Sequence, residues 1–204
     1  TFSSKRTDET KDHCARASRE LTKYYFSKAD FANGIKALET TYDQTNDHLA
    51  HHAHEYVRSP IHSFNRSEET KDDAKRLADA AVAFFEKLVP ADLDEDSGND
   101  REIARRNLNR VAGIYSALSD STNVLKTYER ASKFLGMDDH WLGRIAGHYR
   151  AIGERDKARE TYQRFSDQVD GERHVVSMLR EEGKHDEAIA GYRGLIDRDP
   201  KRIN

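Results

Sequence analysis

Two eight-residue stretches, LNRVAGIY at 108–115 and LGRIAGHY at 142–149, decide how the chain reads. Leu108, Val111, Ala112 and Tyr115 recur as Leu142, Ile145, Ala146 and Tyr149, each 34 positions later. Past a break, Val124, Tyr128 and Ala131 recur as Ala158, Tyr162 and Phe165 at the same offset. A third copy runs through Val175, Val176 and Leu179, then Gly183, Ala188, Tyr192 and Leu195, its second half 30 residues after the preceding one. The shorter offset predicts a shortened first helix or connection in that unit. Pro200 falls where its last helix should stop.

Each copy is an apolar stripe with steps of three and four, a break, then a second such stripe, which is the pattern of an antiparallel helix pair. The breaks carry Ser119-Asp120, Gly153 and Gly183, residues suited to helix caps. The small residues Ala112, Ala146, Ala158 and Ala188 let two helix backbones approach, and a large tyrosine fills the space beside them.

This 34-residue succession of small residue, Tyr, Gly, Ala, aromatic and Pro resembles the tetratricopeptide repeat over Arg105 to Asn204. Leu108 and Leu142 stand where that family usually has Trp, with Trp141 one place early, and Ser119 stands where Gly is usual. The resemblance implies an all-α, right-handed α-solenoid of helix pairs, about nine helices in this chain and no strand.

The N-terminal half follows the same template less closely. In LTKYYFSKADFANGIKALETTY (21–42), Leu21, Tyr25, Ala29, Gly34, Leu38 and Thr41 overlay it as a degenerate first pair. Its second helix is expected to run on through His48 to Val57 and to stop at Ser59-Pro60. Ser67 is expected to open a helix through AKRLADAAVAFFEKLV (74–89), ended by Pro90, with Leu77, Ala81, Phe84, Phe85 and Leu88 along its buried stripe. Residues 92–100 read as an acidic connector. Residues 1–98 thus form an N-terminal helical segment with one degenerate repeat, and residues 99–204 form three helix pairs continuous with it.

Composition sets the limits. Of 204 residues, 36% are hydrophobic and 35% charged, so any core is thin and spread along the chain. Low apolar content with high charge is also the signature of disorder. Nine tyrosines and eight phenylalanines at helical spacing argue against it here. No stretch approaches the ~20 apolar residues of a membrane span. Thirty-seven acids against 34 bases give a net charge of −3, which speaks against nucleic acid as a partner. One cysteine, Cys14, excludes an intramolecular disulfide framework. No stretch reads as a targeting segment, so the sequence assigns no compartment.

Candidate sites are few. HLAHHAHE (48–55) puts His48, His52 and Glu55 on one helical face and His51 beside Glu55, which suits a borderline divalent metal, with His13 or His62 as a remote ligand. The competing reading of His51, His52, His54 and their neighbours is a solvated row or a pH-sensitive patch. Asp92, Asp94 and Asp96 suggest a calcium loop, but Gly98 stands seventh and Ile103 twelfth, a register that cannot close the usual coordination shell. Acids ahead of a helix N-terminus also simply complement its dipole. His13 and Cys14 are adjacent, and on a helix they point about 100° apart, too far to share a proton. No phosphate-binding glycine loop, nucleophile elbow or metalloprotease motif occurs. The chain therefore reads as non-catalytic and without a cofactor.

The remaining candidate is a surface. In relatives of the repeat, the first helix of each unit lines a concave groove. Here that face carries Arg106, Asn109, Arg110 and Gly113, then His140, Arg144, Gly147 and Arg150, then Arg173, His174, Ser177 and Arg180. Arginine forks match carboxylates bidentately, and small residues between them allow an extended backbone close. The face suits an acidic or C-terminal peptide of another protein, or self-association. Arginine is also a good exposed helix former that pairs with glutamate on neighbouring turns, the plain alternative.

Overall fold

The computed structural model describes residues 8–44, 50–93 and 98–200. They form ten helices and no strand: α1 Asp8–Ser27, α2 Phe31–Gln44, α3 Ala50–Phe64, α4 Lys71–Lys87, α5 Gly98–Ala117, α6 Ser121–Leu135, α7 Asp139–Ala151, α8 Arg155–Tyr162, α9 Gln168–Glu181 and α10 His185–Arg198. Adjacent helices pack in pairs, including α1 with α2, α3 with α4, α7 with α8, and α9 with α10.

One turn recurs four times. Ala29, Ser119, Gly153 and Gly183 all take positive φ, between 56° and 85°. The following amide reaches back five residues in each case: Asp30 to the Tyr25 carbonyl (3.0 Å), Asp120 to Tyr115 (2.9 Å), Glu154 to Tyr149 (2.9 Å) and Lys184 to Leu179 (3.0 Å). This left-handed C-cap satisfies a carbonyl that the helix end leaves bare and reverses the chain within three residues. Asp30 and Asp120 then cap the next helix, accepting from the amides of Asn33 (3.3 Å) and Asn123 (3.0 Å). The degenerate N-terminal stretch therefore closes its first pair with the same hydrogen-bonded turn as the later pairs.

Four features differ from the sequence reading. The expected long second helix is two elements: α2 ends at Gln44, and α3 starts at Ala50 and packs against α1, α2, α4 and α5. That raises the helix count from about nine to ten. Pro60 does not stop α3 but lies inside it. A proline within a helix costs about 3 kcal/mol. The helix continues because Val57 and Ile61 on either side are wholly buried, each burial contributing about 1.5–3 kcal/mol. The Asn65 amide still donates to Ile61 O at 2.9 Å. Ser67 does not open α4 but forms the turn before it. Thr70 stands at the N-cap position and spends its hydroxyl on the Phe64 carbonyl (2.7 Å), closing α3 instead. In the last repeat, α9 is not shortened. The missing residues belong to α8, which has only eight.

The chain packs as two compact units, residues 1–127 and 128–204. In the first, Phe26, Phe31, Leu38, Val57, Ile61, Leu77, Ala81, Phe84, Phe85, Val111 and Ile114 form one continuous core supplied by α1 to α5. Gly34 is required here, since a Cβ would overlap the buried ring of Phe26. In the second, Leu142, Ala146, Ala158, Tyr162, Phe165 and Met178 form one cluster, and Val176, Ala188 and Leu195 form a smaller one beneath α10. Tyr115, Tyr149 and Tyr192 are all half-buried against these clusters.

Candidate functional site

The predicted groove residues fare unequally. On α5, Arg110 is buried, hydrogen-bonded to Asn107 Oδ1 (2.9 Å) and lying over the Phe85 ring at 5.6 Å. It belongs to the core of the first unit and is no groove residue. Arg110 shares the buried side of α5 with Ala104, Asn107, Leu108, Val111, Ala112 and Ile114, whereas Arg106, Asn109 and Gly113 stay half-buried on the opposite side. Arg106 stands 3.7 Å from Glu102, one turn back. Asn109 donates to the Arg105 carbonyl (3.0 Å).

The second unit keeps more of the face. Arg150 on α7 and Glu181 on α9 form a two-point ion pair, with Arg150 Nε donating to Glu181 Oε2 at 2.8 Å. That bond, with a further one to the Tyr162 side chain, holds the guanidinium still more firmly protonated than usual. Arg150 thus ties two helices together. Arg173 is taken up by Asp170, three residues earlier (2.6 and 3.0 Å). His140 is half-buried, edge-on to Trp141 at 4.8 Å. Arg144 and Arg180 remain: both are exposed, and among the described residues neither has a carboxylate partner. A side chain would meet nothing within 4 Å at Gly147, one turn from Arg144.

The approach of the helices rests on two details the sequence did not reveal. Asp139, in the first turn of α7, accepts from Ser166 N (2.7 Å), Ser166 Oγ (2.9 Å) and Asp167 N (3.0 Å), fixing the α8–α9 connection. Burial opposes its ionisation, but the three donors prevail and hold its carboxyl below the usual range. Gly171 lets α9 pass close against the Tyr162 carbonyl. The sequence signal nearest to either is the 30-residue offset from Ala158 and Tyr162 to Ala188 and Tyr192.

His174 is not a free groove cation. Its ring stacks on Tyr162 (4.6 Å, 10°) with Phe165 edge-on at 5.9 Å. Burial pushes its pKa down, and Asp170, 3.7 Å away, opposes this while Arg173 and Arg150 add to it. With a folded pKa below the unfolded one, stability is complete above the ordinary histidine value of 6.5 and falls as pH drops through it. The second unit is therefore expected to unfold at lower temperature at about pH 5.5 than at about pH 7.5. His174→Phe, which keeps the stacked ring, should narrow that difference. An unchanged difference would locate the titration elsewhere.

Of the predicted metal ligands, His48 lies outside the described residues, as does the His52 side chain, while Glu55 is exposed and paired with Arg58 at 3.2 Å. Among the described residues no three metal-ligating side chains converge. Asp94 and Asp96 also lie outside them. Cys14 is a free, half-buried thiol on α1. A feature absent from the sequence reading is an open cleft of about 440 Å³ between α1 and α3, lined by Lys23, Ser27, Tyr56, Ser59, Pro60 and Phe64. Lys23 lies over the Tyr56 ring there at 5.1 Å.

No family model matches the chain, and none of the curated proteins does. No helix of the described residues is long and apolar enough to cross a membrane.

Proposed function

We propose that the helix pairs are tetratricopeptide-like repeats of a right-handed α-solenoid, and that the chain is a non-catalytic scaffold. Its α7–α9 face takes an acidic or carboxylate-ended segment of another protein. The observation that carries this reading is Arg144 and Arg180, exposed and without carboxylate partners among the described residues, on two helices bridged by the Arg150–Glu181 ion pair. Preorganisation matters because a rigid face spends little of the contact energy on ordering itself. Gly147 and Ser177, at equivalent places in the two helices, leave room for a ligand backbone between the cations.

The test is an array of immobilised acidic peptides with free and with amidated C-termini, probed with the whole chain. A charge-assisted contact contributes about 1.5–3 kcal/mol, so Arg144→Glu with Arg180→Glu should weaken retention at least roughly tenfold at unchanged helicity. Retention of no peptide, or equal retention by the double variant, would overturn the reading. Arg150 is left intact in this experiment because it is already paired with Glu181 on α9.

A further inference from the structure

The four recurring turns place the helices in a common register. Eight residues before the left-handed residue stand Leu21, Val111, Ile145 and Val175, and five before it stand Tyr24, Ile114, His148 and Met178. In α5, α7 and α9 these positions are covered: Val111, Ile145, Ile114 and Met178 are buried, and Val175 and His148 are half-buried. In α1 the same positions are bare, with Leu21 48% and Tyr24 57% exposed. The second helices show the converse at the far end. Six residues after the turn, Ile35, Leu125 and Arg159 are half-buried, whereas Ile189 on α10 is 50% exposed, and Ile196, two turns on, is 46% exposed. The first helix and the last each leave apolar side chains bare, Leu21 and Tyr24 on α1 and Ile189 and Ile196 on α10, and the compared counterparts of Leu21, Tyr24 and Ile189 are at least half-buried.

We infer that the chain associates head to tail with copies of itself, α1 of one copy lying antiparallel on α10 of the next. The contact repeats one made inside the chain. By the register of the turns, α10 corresponds to α8 and α1 to α9, and α8 packs against α9. Charge fits as well. The α10 stripe runs Asp186, Ile189, Arg193, Ile196, and the α1 side, read in the opposite direction, runs Lys28 in the turn just past the helix, then Tyr24, Leu21 with Glu20, and Ala17. Asp186 thus meets Lys28, Arg193 meets Glu20, and the isoleucines meet Tyr24, Leu21 and Ala17. All four charged residues are exposed. Two different surfaces meeting in this way make a heterologous contact, which leaves one free end of each kind and propagates. The α7–α9 peptide face takes no part in it, so the two proposals stand or fall separately.

Sedimentation velocity on the full chain tests this. The wild type should rise from 23.4 kDa to multiples of that mass across micromolar to millimolar concentrations. Leu21→Asp with Tyr24→Asp, and separately Ile189→Asp with Ile196→Asp, should each stay monomeric, with circular dichroism as the check on folding. An equimolar mixture of the two keeps one intact α1 and one intact α10, so it should form a species of twice the monomer mass and nothing larger. Lys28→Asp, which leaves the apolar stripe untouched, should weaken association about tenfold, and adding Asp186→Lys should restore it. A wild type that stays monomeric throughout would overturn the inference. So would a mixture that fails to dimerise, or an α1 variant that associates as the wild type does.

Discussion

Phe85→Ala is expected to lower the stability of the first unit by about 3–5 kcal/mol. Phe85 is wholly buried in α4, edge-on to Phe84 at 5.1 Å, in the core where α3, α4 and α5 meet. Truncation leaves a cavity that rigid helix backbones cannot collapse to fill, and the contact with the Arg110 guanidinium at 5.6 Å is lost with it. Arg110 then faces an empty space with its charge partly unsupported, which places the expected loss toward the upper end. Domains are stable by only about 5–15 kcal/mol, so the variant should lose a large share of the unit's stability. Chemical denaturation followed by hydrogen exchange checks this: amides of α3, α4 and α5 should lose protection first. A loss below about 1 kcal/mol would mean that this core is not packed as described.

Gly171→Ala should be the most damaging single-methyl addition in the second unit. The new Cβ would overlap the Tyr162 main-chain carbonyl and stand 3.2 Å from Phe165 Cβ. Neither can swing away as a flexible side chain could, so α9 must move off α8. Overpacking of this kind costs about 1–3 kcal/mol, and separation of the helices also weakens the Tyr162–His174 stack. For a unit of this size each kcal/mol is about 4–8 °C of melting temperature, so a fall of about 10 °C or more is expected by calorimetry. Gly147→Ala, where the added carbon meets nothing within 4 Å inside α7, is the control and should stabilise slightly, by about 0.5–1 kcal/mol. Equal effects of the two substitutions would contradict the close approach at Gly171.

The pairing of helices was legible because burial imposes a period: Leu108, Val111, Ala112 and Tyr115 repeat as a set, and their turns demand a left-handed residue at fixed places. Even Ala29, which carries no glycine signal, closes its turn as Gly153 does. Pro60 was misread because local propensity favours a stop, whereas the burial of Val57 and Ile61 outweighs it. Arg110 was misread for a related reason. Arginine is read as solvent-facing, but Arg110 falls among the buried residues of α5, and a guanidinium can lie over an aromatic ring and still satisfy its donors. The Arg150–Glu181 pair spans 31 residues and connects different helices, so no local spacing announces it. Side-chain type gave the candidate face, and partner geometry reduced it to Arg144 and Arg180.

The binding face is tested most directly by titrating the isotope-labelled chain with an acidic peptide retained on the array and following backbone amide chemical shifts. Shifts are expected only in α7 and α9, largest around Arg144, Gly147, Ser177 and Arg180, and absent in the Arg144→Glu, Arg180→Glu variant. Shifts that cluster instead on α2, α4 or the α1–α3 cleft, or that persist unchanged in the variant, would contradict it.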